Sequence, residues 1–154
     1  MLLFRSFCIL LFAVLTSCET TPVSTYGTII QGMDVPLLEI QQRVARFLPV
    51  GVRTTSPNGR EFLSKYFIMN QGSYKLAGEA LDRYYVQITI LGDRRPYDLE
   101  ITATREKRIL RGEVFNYEVV GHDKRLAKEL AQQLREQLTK RREDRNIIDD
   151  FRVF

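Results

Sequence analysis

Few side chains in this sequence have the chemistry of catalysis or metal binding. His122 is the only histidine, and the two cysteines, Cys8 and Cys18, both lie near the amino terminus. A histidine can act as a general base or a metal ligand, but Asp123 is its only close acidic neighbour in the sequence. We therefore interpret His122 as a residue of a strand-to-helix junction, and we predict no catalytic residue, no metal site and no cofactor.

The other motifs of enzymes are also missing from the sequence. Ser56, Ser64 and Ser73 have no Gly-x-Ser-x-Gly context, so a hydrolase nucleophile elbow is unsupported. The glycines are spread through turns instead of forming a phosphate-binding loop. The sequence therefore favours a protein that is not an enzyme.

The first eighteen residues have the layout of a secretory signal. Arg5 precedes an apolar run over residues 7–15, which is too short to span a bilayer as a permanent helix. The run ends in Leu15-Thr16-Ser17-Cys18. This motif resembles the lipobox of small bacterial envelope lipoproteins, in which signal peptidase II cleaves before a cysteine that becomes lipidated. The alternative interpretation is an uncleaved membrane anchor.

The resemblance implies a signal peptide over residues 1–17 and acyl chains on Cys18, which would hold the protein on a membrane. Glu19 follows that cysteine, whereas an aspartate there favours the inner membrane in well-studied enterobacteria. The resemblance thus implies the periplasmic face of the outer membrane rather than the inner membrane. The net charge of +4 comes from 23 basic and 19 acidic side chains, a mixed pattern that does not predict a nucleic-acid partner.

Two groups of arginines are candidate partner-binding residues. Arg94, Arg95 and Tyr97 fall at a predicted hairpin turn, and guanidinium groups bind phosphates and carboxylates through paired hydrogen bonds. The alternative is a solvated turn whose charges discourage edge aggregation. Arg141 and Arg142 end the last predicted helix, where cations also interact favourably with the helix dipole without any partner.

The carboxyl-terminal tail is a third candidate. Residues 146–154 contain two isoleucines together with Phe151 and Phe154, which is unusually apolar for a solvated terminus. Either the tail folds back on the domain, or Phe151 and Phe154 bind a partner.

The apolar periodicity predicts two helices. The first covers residues 35–48, with Asp34 as its N-cap and Pro49 after its end. The second covers residues 124–142, with Asp123 as its N-cap and one apolar stripe that faces the sheet, made of Leu126, Ala127, Leu130, Ala131, Leu134 and Leu138.

Alternating apolar residues predict the strands. Residues 83–91 and 97–104 form an antiparallel hairpin with one buried face, and residues 114–120 form a strand that buries Phe115, Tyr117 and Val119. Residues 52–55 read as extended and are followed by a turn at 56–59. Residues 60–69 fit a strand better than a helix because aromatic side chains follow an Asn-Gly turn.

These elements predict one α+β domain at residues 34–154, preceded by a tether at 18–33 that begins with the lipidated cysteine. An N-terminal helix and a long C-terminal helix pack on one face of an antiparallel sheet of four to five strands, as a two-layer sandwich. The main hypothesis is a non-enzymatic accessory lipoprotein that binds an envelope protein partner in an assembly or transport system. The alternative is a periplasmic ligand-binding module for lipid, glycan or peptidoglycan, with a groove between sheet and helix that is lined by Tyr84, Tyr97 and Tyr117. The oligomeric state stays open.

Overall fold

The structure is a computed structural model that describes residues 26–143, with side chains described as far as residue 140. The signal segment and Cys18 lie outside the described residues, as do Phe151 and Phe154 of the tail and the side chains of Arg141 and Arg142.

The described residues form an antiparallel sheet with two helices, which confirms the predicted α+β class. The sheet of the described residues has eight strands, so the prediction of four to five strands was wrong. The elements in chain order are β1 (Thr28–Met33), α1 (Leu37–Phe47), β2 (Val52–Thr55), β3 (Glu61–Ser64), β4 (Phe67–Asn70), β5 (Ser73–Leu76), β6 (Asp82–Leu91), β7 (Tyr97–Arg111), β8 (Val114–His122) and α2 (Lys124–Glu143).

The long β6–β7 hairpin is the centre of the sheet. Strand β7 pairs with β6 along one edge, while its other edge pairs first with β1, at residues 97–101, and then with β8, at residues 104–111. In the same way β6 pairs with β3 at residues 87–89 and with β4 at residue 84. The sheet therefore has two ends. We call β1, β2 and β3, with the parts of β6 and β7 beside them, the covered end. We call β4, β5 and β8, with the remaining parts of β6 and β7, the open end.

The core lies between one face of the sheet and the two helices, and it includes the fully buried Phe67 of β4. Alternate residues of the central hairpin point to one face and are buried there, among them Val86, Ile88 and Ile101. The buried faces of both helices belong to the same cluster, so both helices lie over this one face. Every residue of the predicted stripe on α2 is buried, which confirms the periodicity argument. Neither described helix is long and apolar enough to cross a membrane.

The amino-terminal part of the domain differs from the prediction. Residues 28–33 were expected to belong to the tether, but they form β1, and Ile30 is buried in the core. The packed domain therefore begins before residue 34. Asp34 does not cap α1: the N-cap is Pro36, with no side-chain hydrogen bond. The cap of α2 is confirmed, since the Leu126 amide donates to Asp123 Oδ1 at 2.9 Å.

Residues 60–69 contain two strands instead of one. Strand β3 ends at the fully buried Ser64, and β4 begins at Phe67. The Ser64 hydroxyl accepts a hydrogen bond from the Val86 amide at 2.9 Å and donates one to the Lys65 carbonyl at 2.8 Å. The Ser64 hydroxyl thus links the break between β3 and β4 to β6. Its two hydrogen bonds also avoid the cost of a buried polar group without partners. Strand β5, at residues 73–76, was not predicted.

The prediction for residues 114–120 was correct for the strand and wrong for its burial. Phe115 and Val119 are 54% and 56% exposed. The reason is that both side chains point to the sheet face opposite the helices: they pair with Leu110 and Glu106 of β7, each an odd number of positions from the buried Ile101.

Replacing Leu130 with alanine tests the core. This side chain of α2 is 1% exposed, so Leu130→Ala should lower the free energy of unfolding by about 2–5 kcal/mol, measured by urea denaturation. The matched control is Leu38→Ala on α1, where the leucine is 65% exposed and the change should stay within about 0.5 kcal/mol. Equal losses in the two variants would contradict the described packing.

Candidate functional site

Exposed apolar side chains concentrate at the open end of the sheet. In the described chain, the large hydrophobic residues that are exposed at the covered end are Tyr26 and Leu38. Those at the open end and in the connection to β6 are Met69, Leu76, Leu81, Leu110, Val114, Phe115, Val119 and Val120. A concentration of this kind indicates an interaction surface, since scattered single residues are the ordinary finding.

One part of this surface is a strip on the face that the helices do not cover. Ile101 and Ala103 of β7 point into the core, so Leu110, an odd number of positions away, points to the opposite face. Leu110 pairs with Phe115, and Val119 pairs with Glu106, which places all three apolar side chains on that face. We call Leu110, Phe115 and Val119 the apolar strip.

A buried charge lies beside the apolar strip on the same face. Nε and Nη2 of Arg83 both contact Oε2 of Glu106 at 2.7 Å, and Glu106 is only 9% exposed. The Arg83 guanidinium carbon lies 3.6 Å from the ring centre of Tyr66 and 3.4 Å from that of Tyr117. We call these four residues the arginine brace. It connects β6, β7, β8 and the link between β3 and β4.

The arginine brace extends in both directions across the sheet. Arg53 of β2 lies 4.1 Å from the ring centre of Tyr66, and the Tyr117 hydroxyl donates to the Ala80 carbonyl at 2.9 Å. Arg108 lies 3.9 Å from the ring centre of Phe115, which links the brace to the apolar strip. Each cation–π contact contributes about 0.5–2 kcal/mol, depending on desolvation. Because two guanidinium groups already contact Tyr66, the brace is a structural support and not a vacant aromatic platform.

A concave feature lies where β8 meets α2. A shallow cleft of about 360 Å³ is lined by side chains that include Tyr84, Arg105, His122 and Lys124. His122 is the last residue of β8; its Nδ1 lies 3.2 Å from Thr104 Oγ1, and its ring lies 4.6 Å from that of Tyr26. Among the described residues, no group of three or more histidine, cysteine or acidic side chains is placed to hold a metal ion.

The structure separates the arginine turn from the apolar strip. Arg94 and Arg95 are exposed in the turn between β6 and β7, at the opposite end of β7 from Leu110. Tyr97 is 7% exposed and belongs to the core, so its side chain offers little surface to a partner.

The three tyrosines of the predicted groove lie apart from one another. Tyr117 lies on the face opposite the helices, against Arg83, and Tyr97 is buried. Only Tyr84 remains beside a cleft. These three side chains therefore do not line one groove.

Sequence reasoning missed both the apolar strip and the arginine brace. Alternation in β8 correctly predicted a strand, but alternation does not say whether a second layer covers it. A signal was present: Val114-Phe115 and Val119-Val120 are adjacent apolar pairs, so both faces of β8 carry apolar residues. The brace could not be found in this way because its members are far apart in the sequence.

A comparison of the chain with protein-family models, curated proteins and solved structures finds no match.

Removing the charge from the arginine brace should destabilise the fold. Arg83→Met leaves the nearly buried Glu106 carboxylate without its cation, so we expect a loss of about 2–4 kcal/mol in the free energy of unfolding, measured by urea denaturation.

The matched control for this variant is Arg105→Met. Arg105 pairs with Asp82 at 3.1 Å, but the two side chains are 47% and 35% exposed, so the loss should be below about 1 kcal/mol. If the two variants lost the same stability, the brace would not have the role described.

Proposed function

We propose that this chain is a lipid-anchored, non-enzymatic accessory lipoprotein of the bacterial cell envelope, and that it binds a protein partner of an assembly or transport system through the open end of its sheet. The observation that carries the proposal is the apolar strip of Leu110, Phe115 and Val119, which stands exposed on a face that no described helix covers. The lipobox-like motif ending at Cys18 supports the anchor.

The chemistry of the surface favours a protein over a small ligand. The apolar strip lies on the surface of a sheet, and burying its three side chains against a partner contributes about 25 cal/mol per Å² of apolar area. Small ligands instead bind in concave sites that surround most of their surface. The arginine brace keeps the strip in a fixed arrangement, which lowers the entropic cost of binding.

The distance to the membrane follows from the position of Cys18. Seven residues separate Cys18 from Tyr26, the first described residue, and the eight Cα-to-Cα steps between them span at most roughly 29 Å. A domain on so short a connection stays near the bilayer surface. Glu19, in place of aspartate, supports the periplasmic face of the outer membrane as its location.

The second candidate function is a ligand-binding module for lipid, glycan or peptidoglycan. The observation in its favour is the cleft of about 360 Å³ next to Tyr84, where Arg105 and Lys124 would attract an anionic group. The cleft is shallow and Arg105 is already paired with Asp82, so we rank this function below protein binding.

Replacing Cys18 tests the anchor. Cys18→Ala should abolish incorporation of labelled palmitate in cells and release the chain from the outer-membrane fraction, because no other residue in the lipobox-like motif can accept the lipid. Cys8→Ala, within the apolar run of the leader, is the matched control and should retain both. Palmitate labelling that persists in Cys18→Ala would contradict the proposed anchor.

A charge placed in the apolar strip tests partner binding. Phe115→Asp and Val119→Asp should each reduce at least about tenfold the yield of an envelope protein captured after crosslinking in cells, since an aspartate would be desolvated at the contact. Leu38→Asp is the control, because Leu38 is 65% exposed on α1, away from the open end. If the three variants captured the same amount of the partner, the open end would not be the binding surface.

A further inference from the structure

Strand β8 has one unpaired edge. It pairs with β7 and, among the described residues, with no other strand. Pairing with β7 is regular from Val114 to Val119 and is interrupted by a bulge before Gly121. An edge strand of this kind presents backbone N–H and C=O groups to which another strand can add.

The usual protections of an edge are weak in β8. The strand contains no proline and no lysine, and its one charged residue, Glu118, is engaged by the guanidinium of Arg111. Exposed apolar side chains lie on both of its faces, among them Phe115 and Val120. Natural proteins blunt such edges with charges, proline or a covering segment, so this edge fits a partner strand.

We propose that the partner strand is β8 of a second copy of this chain, paired antiparallel about a two-fold axis at Tyr117. This register places Phe115 opposite Val119 of the second copy, and Asn116 opposite Glu118 of the second copy. Apolar residues then meet apolar residues, while the Asn116 amide can donate to the Glu118 carboxylate. The sequence of β8 is thus complementary to itself when it is reversed.

Neighbouring registers lack this complementarity. In a two-fold pair of antiparallel strands, opposed side chains must point to the same face of the sheet. The axis must therefore pass through a residue, and the neighbouring registers have their axis one residue away, at Asn116 or Glu118. An axis at Glu118 would oppose two carboxylates and would place Asn116 opposite Val120. An axis at Asn116 would place Val114 opposite Glu118. Tyr117 is therefore the centre that avoids both like-charge and apolar–charge pairs.

The dimer would make one continuous sheet from the two chains. Its axis is perpendicular to the sheet, so the two apolar strips lie on the same face, on either side of the axis. This inference goes beyond the proposed function, because self-pairing of β8 needs neither the lipid on Cys18 nor an envelope partner.

Cysteine crosslinking of the purified full chain in detergent tests the register. Phe115→Cys and Val119→Cys chains with different tags are oxidised separately and as a mixture, and the parent chain controls for Cys8 and Cys18. Opposed residues have Cα atoms about 4.5–5.5 Å apart, within disulfide range, whereas two copies of residue 115 would be separated by roughly 14 Å along the strands. We expect a disulfide dimer in the mixture at least about fivefold above either chain alone; equal yields would overturn the proposed register.

Charge substitutions at one exposed position provide a second test. Asn116→Glu opposes Glu118 of the second copy with a like charge, whereas Asn116→Lys opposes it with an opposite charge. The dissociation constant of the dimer, measured by analytical ultracentrifugation, should rise about three- to tenfold in the first variant and fall by a similar factor in the second. A monomeric parent chain, or two variants that shift the constant in the same direction, would overturn the proposal. Either result would leave palmitate labelling and partner capture unaffected.

Discussion

The fold depends on one largely buried ion pair, between Arg83 and Glu106. Arg83 lies on the sheet face that the helices leave uncovered, and it is held there by Glu106 and by the rings of Tyr66 and Tyr117. Removing a charge from water costs several kcal/mol unless hydrogen bonds and an opposite charge compensate for it. Since these partners come from different strands, the compensation exists only when β6, β7 and β8 are assembled together with the link between β3 and β4. On the sheet face opposite the helices, the arginine brace thus connects the strands of the open end to one another.

This arrangement links the architecture to the proposed function. At the covered end, the apolar faces of both helices and of the central hairpin are buried against each other, and few large hydrophobic residues are exposed there. At the open end, order comes from the brace, so Leu110, Phe115 and Val119 can remain exposed on a defined surface. A preformed apolar surface binds a partner with little loss of conformational entropy. A lipid on Cys18 would keep that surface close to the membrane, where an envelope partner would be found.

Local patterns predicted the parts of the fold that are determined locally. The leucine stripe of α2, the Asp123 cap and the alternation in β6 and β7 follow from periodicity and capping chemistry, and the structure confirms them. Strand β1 was assigned to the tether because its Thr- and Gly-containing sequence has no clear period. The exposure of Phe115 and the brace around Arg83 depend on which strands are neighbours in the sheet, and on which face of the sheet the helices cover. Such long-range facts leave no periodic trace in one sequence, and so sequence reasoning named Arg94 and Arg95 as candidates but did not find the apolar strip.

Amide hydrogen exchange in the full chain and in Arg83→Met is the most direct test of this account. If the arginine brace holds the open end in place, the amides that β8 donates to β7 are protected in the parent chain. In the variant they should exchange at least about tenfold faster, while the amides between β1 and β7 keep their protection, because the helices still cover that end. Uniform acceleration across both ends, or unchanged protection of β8, would contradict the claim that the brace maintains the proposed binding surface.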